Sequence, residues 1–186
     1  MELEGKRVGI FVENRYHEFE FWCPYFRMKE AGAKVSIIGT GAKEYTGLHG
    51  IPAPGGSAPG SVRELIFAGA VGPADLDGLI IPGGFCPDYL RRSQAVLNLV
   101  RGCYHEGKVV AAICHAGWVL VSADILKGKR ATCISSIKDD LMNAGADYVD
   151  QEVVRDGNLI TSRMPDDLPA FLRAVVAALK GVRPAE

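Results

Sequence analysis

Several things are scarce in this sequence, and each absence closes off a class of protein. No stretch is apolar over the roughly 20 residues needed to cross a bilayer. The opening residues, Met1 to Arg7, lack the apolar run of a secretory signal. The expected compartment is therefore the cytoplasm, with no membrane partner. Net charge is almost absent as well, since 21 basic residues offset 22 acidic ones for a balance of -1. Without a basic stripe there is no electrostatic footprint for nucleic acid. Cysteine pairing is missing too: the five cysteines Cys23, Cys86, Cys103, Cys114 and Cys133 are scattered and form no C-x-x-C pair. That excludes a disulfide framework or a zinc site and leads us to expect free thiols, no metal and no cofactor.

What is present describes an ordinary water-soluble body. A hydrophobic share of 48%, a charged share of 23% and 186 residues suit one globular domain spanning 1–186. Short apolar runs at Arg7 to Val12, Lys34 to Ile38, Gly78 to Ile81 and Val109 to Ile113 predict strands buried on both faces. Between the first two, Phe19, Trp22, Cys23 and Phe26 recur at helical spacing, with Gly32 placed to stop the helix. Pro24 fits only near the first turns of that helix. Between the next two, Val96, Leu99, Val100 and Cys103 form a second helical stripe closed by Gly107.

After Cys114 the pattern predicts a helix to about Ala123, a short strand near Ala131 to Cys133, and a helix through Leu141 and Met142. A hairpin turn follows at Asp156-Gly157. A last helix carries Leu168, Phe171, Leu172, Val175, Val176 and Leu179 on one face, with Asp166 as its N-cap. Strands alternating with helices imply an α/β fold with a doubly wound, mainly parallel sheet, whose ligands sit at the carboxyl ends of the strands. One stretch resists this pattern. Residues 52–60 hold three prolines and three glycines and read as a surface loop, either a tolerated insertion or a lid or oligomer contact.

The chemistry concentrates at two junctions. The apolar run Val109 to Ile113 enters Cys114-His115-Ala116-Gly117, and a helical pattern begins at once. A strand, sharp turn and helix with a thiol at the apex is the mechanical device of a nucleophile elbow. The helix N-terminus there should favour the thiolate and lower its pKa. The same run can also be ordinary core. The strand Gly78 to Ile81 leads into Pro82-Gly83-Gly84, where glycines let backbone N–H groups approach a bound oxygen. Gly84 N–H and His115 N–H could thus form an oxyanion hole, although a strand followed by Pro-Gly-Gly is often just a tight turn.

The segments Ile80-Ile81-Pro82-Gly83-Gly84, Pro87-Asp88, Ala112-Ile113-Cys114-His115, Lys127-Gly128, Ile137-Lys138-Asp139-Asp140, Asn143-Ala144-Gly145 and Val153 to Asn158 resemble the PfpI branch of the ThiJ/PfpI superfamily. The resemblance covers nearly the whole chain. It implies a flavodoxin-like sandwich related to class I glutamine amidotransferases, with Cys114 as nucleophile and His115 beside it. It further implies that Asp88 completes the triad of a neighbouring subunit in a homodimer or larger homo-oligomer. Glu20, four residues before Pro24, matches a glutamate that contacts the cysteine sulfur, and it should be protonated if it faces the thiolate in an apolar pocket. Read without the resemblance, Glu20 and Asp88 are helix-surface and cap residues.

The chain departs from the family pattern at four places. Asp88 often has Glu as its counterpart, Ile134 has Tyr, Met164 has His, and His17 has an acid. His17, His49 and His105 read as surface or core-edge residues. Three functions follow from the resemblance: a cysteine hydrolase acting on peptides, a glyoxalase III or deglycase acting on methylglyoxal or its adducts, and a stress-responsive redox sensor or chaperone in which Cys114 is oxidised. The partners implied are a second copy of the chain and a peptide or small carbonyl substrate.

Overall fold

In the computed structural model, which describes residues 1–53 and 65–181, the apolar runs become strands of one sheet. The chain runs β1 (Arg7–Phe11), α1 (Glu18–Glu30), β2 (Lys34–Gly39), β3 (Leu65–Phe67), β4 (Gly78–Ile81), α2 (Cys86–Leu90), α3 (Gln94–His105) and β5 (Val109–Ile113). It continues through α4 (Gly117–Ser122), β6 (Arg130–Ala131), α5 (Lys138–Asn143), β7 (Asp147–Tyr148), β8 (Val153–Asp156), β9 (Leu159–Ser162) and α6 (Leu168–Leu179). Most of the Pro/Gly-rich loop at 52–60 lies outside the described residues.

Seven strands form the order β3-β2-β1-β4-β5-β9-β8, parallel except for the β8–β9 hairpin. This is the doubly wound, flavodoxin-like sheet expected from the alternation of elements. β4 and β5 are buried along their whole length, as strands covered by helices on both faces must be. Strand order reverses between β1 and β4, so the crossovers through α1 and α3 lie on opposite faces. The crevice at that reversal, beyond the carboxyl ends of the strands, is where a doubly wound sheet accepts a ligand. Three segments meet there: the residues after β1, the Pro82-Gly83-Gly84 turn after β4, and Cys114 after β5.

Two helical stripes behave as expected. Val96, Leu99, Val100 and Cys103 of α3 are buried, and so are Leu168, Phe171, Leu172, Val175, Val176 and Leu179 of α6. Burial of an aliphatic or aromatic side chain contributes about 1.5 to 3 kcal/mol, so these two faces account for much of the adhesion between helices and sheet.

The stripe on α1 is a correction. Phe19 is 63% exposed and Phe26 60% exposed, with Trp22 and Cys23 only partly covered. The face turned to the core is instead Phe21, Pro24, Tyr25 and Met28, together with Glu18 and Glu20. The helix is apolar on two sides, so periodicity alone does not choose between them; the position of β1 and β2 does. The outward aromatics cover one another, with Trp22 and Phe26 stacked at 5.5 Å. Pro24 also lies further inside than the first turn, and its missing N–H leaves the Glu20 carbonyl without its usual donor.

Smaller differences have local causes. Asp166 does not cap α6, because a short 3₁₀ turn, Pro165–Asp167, precedes that helix. The next residue, Asp167, is buried against Arg163 at 2.9 Å. The strand expected at Ala131 to Cys133 is Arg130–Ala131, paired in parallel with Asp147–Tyr148. β3 and β7 are too short to leave a periodic signal. The hairpin turn falls at Gly157 with φ of 63°.

The two faces of α1 separate by mutation. Phe21→Ala should cost about 3 to 5 kcal/mol of unfolding free energy in urea titration, the range for deleting a buried aromatic side chain. Phe19→Ser should stay within about 0.5 kcal/mol for a chain standing alone. A larger loss at Phe19 means that another chain covers it.

Candidate active site

β5 delivers Cys114 to the sheet end with φ of 61°, a left-handed conformation that a side chain enters only at a cost of about 1 to 3 kcal/mol. The strain comes from passing directly from extended Ile113 into the turn Cys114–Ala116 that opens α4. This is the sharp elbow expected from the sequence, and it leaves Cys114 only 7% exposed.

Pro82-Gly83-Gly84 closes over the thiol from the β4 side. A Cβ placed on Gly83 would lie 2.6 Å from Glu20 Oε2, 2.7 Å from Cys114 Cβ and 3.0 Å from the His115 nitrogen. Any side chain there would collide with the three groups that converge on it. Gly84 has φ of 76°, and its own Cβ would strike the backbone of Arg15 and His17 at 2.6 Å. With side chains excluded, the N–H groups of Gly84 and His115 both reach the sulfur. These are the two donors named from the sequence for an oxyanion.

Glu20 is fully buried. Its Oε2 accepts the Gly83 N–H at 2.7 Å, while its Oε1 has no hydrogen-bond partner. Loss of water pushes its pKa up to about 7, against the opposing pull of Gly83 and Cys114. The helix-surface reading of Glu20 is thereby replaced. The thiol moves in the direction opposite to the one expected. Burial, reinforced by repulsion from Glu20, pushes Cys114 up to about 12 despite its two backbone donors. A helix of six residues offers too little field to offset that desolvation.

His115 completes the cluster. Its Nδ1 lies 3.3 Å from Cys114 Sγ, and its Nε2 lies 3.2 Å from Ser136 Oγ. Half-burial lowers its pKa, so the ring is neutral near pH 7. A proton on Nε2 satisfies both contacts, with Nδ1 free to take the thiol proton. Phe85 and Trp118 neighbour the ring, with centroids at 6.2 and 5.3 Å.

The profile of the DJ-1/PfpI family matches residues 6–178. The chain belongs to that family. A deglycase of Pyrococcus horikoshii is 38% identical over 174 residues, which is 94% of this chain and 99% of that protein. A protein/nucleic acid deglycase of Escherichia coli is 37% identical over 176 residues, 94% of this chain and 98% of that one. Among solved structures, DJ-1beta of Drosophila melanogaster superposes with a TM-score of 0.82 at 29% identity, covering 95% of this chain and 91% of that one.

Cys114, His115, Glu20 and Gly84 thus come together around Gly83, and Asp88 does not join them. Asp88 lies exposed in α2, and among the described residues its carboxylate has no hydrogen-bond partner. Beside it in α2, Leu90 is fully buried in its own chain, whereas Tyr89 is 36% exposed. Ser136 was missed, because one of two serines in a short turn carries no signal until the fold brings it to His115. Among the family departures, Ile134 and Met164 are half-buried, while the His17 N–H holds the Gly83 carbonyl at 3.1 Å. His49 is exposed but pairs with the buried carboxylate of Glu18 at 2.8 Å. No helix among the described residues is long and apolar enough to cross a membrane.

Glu20 should leave a mark on stability. Its folded pKa near 7 exceeds the ordinary 4.5, so the folded state binds the extra proton between those values. The associated stability is present below pH 4.5 and is lost as pH rises through about 7, amounting to roughly 3 kcal/mol. Urea titrations of wild type and Glu20→Gln across pH 4.5 to 8 check this. The difference between the two proteins should shift toward Glu20→Gln by that amount, and a pH-independent difference would show that Glu20 ionises normally.

Proposed function

We propose that this chain is a thiol enzyme acting on small carbonyl compounds, taking 2-oxoaldehydes such as methylglyoxal and their early adducts with amines. The observation that carries this reading is the closed recess at Gly83, where a buried carboxyl, two N–H donors and an imidazole surround a sulfur that is 7% exposed. A recess of this kind fits an aldehyde better than an extended peptide. The deglycase names of the two relatives support the same choice over the peptidase expected first from the sequence.

Chemistry in the recess begins with a proton. The thiol proton passes to His115 Nδ1, and the sulfur attacks the aldehyde carbon. A C–S bond forms, the carbonyl electron pair moves onto oxygen, and the Gly84 and His115 N–H groups stabilise that oxygen. The proton from His115 then neutralises it. The sulfur-bearing carbon then loses its proton while the ketone oxygen takes one up, giving an enediol; the former ketone carbon is protonated as the hydroxyl on the sulfur-bearing carbon loses its proton, and a thioester of the 2-hydroxy acid results. Water cleaves the thioester, so that methylglyoxal plus water becomes lactic acid and the thiol is regenerated. From a hemiaminal adduct the C–N bond breaks as nitrogen takes up a proton and the hydroxyl gives one up; the free amine departs and the released aldehyde enters the same sequence. Glu20, neutral below about pH 7, donates its proton toward sulfur and avoids a second negative charge beside the thiolate.

Asp88 is assigned to the site of a neighbouring copy. Its exposure and lack of a partner support this, as does the exposed aromatic face of α1, which is apolar surface available for association. The chain would then work as a homo-oligomer.

Incubation with methylglyoxal and measurement of lactate should show turnover that falls by at least about 10³-fold in Cys114→Ser, the scale for loss of a nucleophile. Retention of activity in that variant would end the thiol mechanism. Mixing Cys114→Ser with Asp88→Ala subunits should restore part of the activity, because some interfaces then pair an intact Cys114 with an intact Asp88. Mixed variants that stay inactive after verified subunit exchange, or a monomer by light scattering, would overturn the shared site.

A further inference from the structure

Two arginines lie over the aromatic rings that neighbour His115, and neither is needed by the chemistry above. Arg15 places its guanidinium carbon 4.5 Å above the Phe85 ring, and Arg91 lies 5.7 Å from the Trp118 ring. Phe85 and Trp118 are the two rings that flank His115. The imidazole therefore has two aromatic neighbours, and each of them has a cation over its ring.

The two sides differ. Arg91 is half-buried and tied by Nε to Ser122 Oγ at 2.9 Å, and the Trp118 ring it lies over donates to the Asp140 carboxylate at 2.8 Å, so a carboxylate is already present on that flank. Arg15 is exposed, and among the described residues no carboxylate pairs with it. The acid two residues before it, Glu13, is buried and committed to Asn14 N–H and the Thr40 hydroxyl.

The backbone of Arg15 is held from both directions. Its N–H donates to Thr46 at 2.7 Å and its carbonyl accepts from Phe85 N–H at 2.9 Å. Between these bonds it adopts φ of 63°, where a long side chain is uncommon and glycine or asparagine fits with less strain. What the geometry achieves is to hold a guanidinium over Phe85, the ring that neighbours His115.

We infer that Arg15 is a substrate-recognition residue and that the preferred substrates of the Cys114 site are carbonyl compounds carrying a carboxylate. This rests on the thiol reading above and adds the substrate class. A guanidinium presents two parallel donors that match one planar carboxylate. Stacking on Phe85 fixes the plane of that fork and leaves its edge for the ligand. A phosphate dianion would call for a second free cation, and Arg91 is committed to Ser122.

The test uses charge alone. Wild type, Arg15→Gln and Arg15→Lys are alkylated with iodoacetate, which carries a carboxylate, and with neutral iodoacetamide, and the Cys114 peptide is quantified by mass spectrometry over time. Taking the ratio of the two rates cancels any change in thiolate content. The ratio for wild type should exceed that for Arg15→Gln by about threefold, the size expected for one charge a few ångströms away in water. Arg15→Lys should keep most of the effect at low salt, and 0.5 M NaCl should draw the wild-type ratio toward that of Arg15→Gln. A ratio unchanged by Arg15→Gln or by salt overturns the recognition role and leaves the thiol mechanism standing. Failure of both reagents to label Cys114 in the wild type overturns the nucleophile and this inference with it.

Discussion

Two acids share one dry recess at the ends of β4 and β5, and only one negative charge fits there comfortably. Burial raises both the Glu20 carboxyl and the Cys114 thiol, and the Glu20 charge raises the thiol further, whereas the hydrogen bond with Cys114 pulls the carboxyl back down. The conflict is softened by backbone alone: Gly83 N–H takes one carboxyl oxygen, and the Gly84 and His115 N–H groups face the sulfur. Every other feature of the site serves this arrangement. Glycine is needed at 83 because a Cβ would occupy the space the three groups share. Cys114 must bend to a positive φ because only that turn aims a side chain from the end of β5 into the same point.

The sheet supplies the rigidity that such crowding requires. β1, β4 and β5 are adjacent, parallel and buried, so their carboxyl ends come out side by side at the place where strand order reverses. Segments far apart in sequence, around residues 15, 83 and 115, are thereby fixed within contact distance. Hydrogen bonds across the crevice lock them further, from His17 to Gly83 and from Phe85 to Arg15. A site built on strand ends can hold a strained residue, because the cost is spread over a packed core.

The same rigidity leaves surfaces unfinished. α1 turns Phe21, Tyr25 and Met28 inward to position Glu20, and in doing so presents Phe19 and Phe26 outward. Asp88 is likewise presented outward on α2 while His115 is bonded to Ser136 of its own chain. An apolar helix face and an unpaired carboxylate are features that association can use. Arg15 over Phe85 belongs to a different category: a cation whose backbone is strained and whose partner would come from the substrate.

Much of this was legible in the residues. The runs at Arg7, Lys34, Gly78 and Val109 fixed the strand count at the centre of the sheet, since both-face burial leaves an unbroken apolar signature. The elbow at Cys114 and the turn at Gly83-Gly84 were legible because strand, turn and helix signals abut there. Other features were hidden. Strands of two or three residues such as β3 and β7 carry no period. The exposed side of α1 could not be chosen, because both of its sides are apolar. The direction of the Cys114 shift was misjudged, because a sequence displays the favourable helix end but not the depth of burial. Ser136, Phe85, Trp118 and Arg15 gained meaning only when folding set them around one imidazole. Sequence by itself determined which groups can react and which segments must be strands and helices, since those depend on neighbouring residues and periodicity. Tertiary structure decided which groups meet, how dry the meeting place is and which charges go unanswered, because distance and dielectric exist only once the chain has packed.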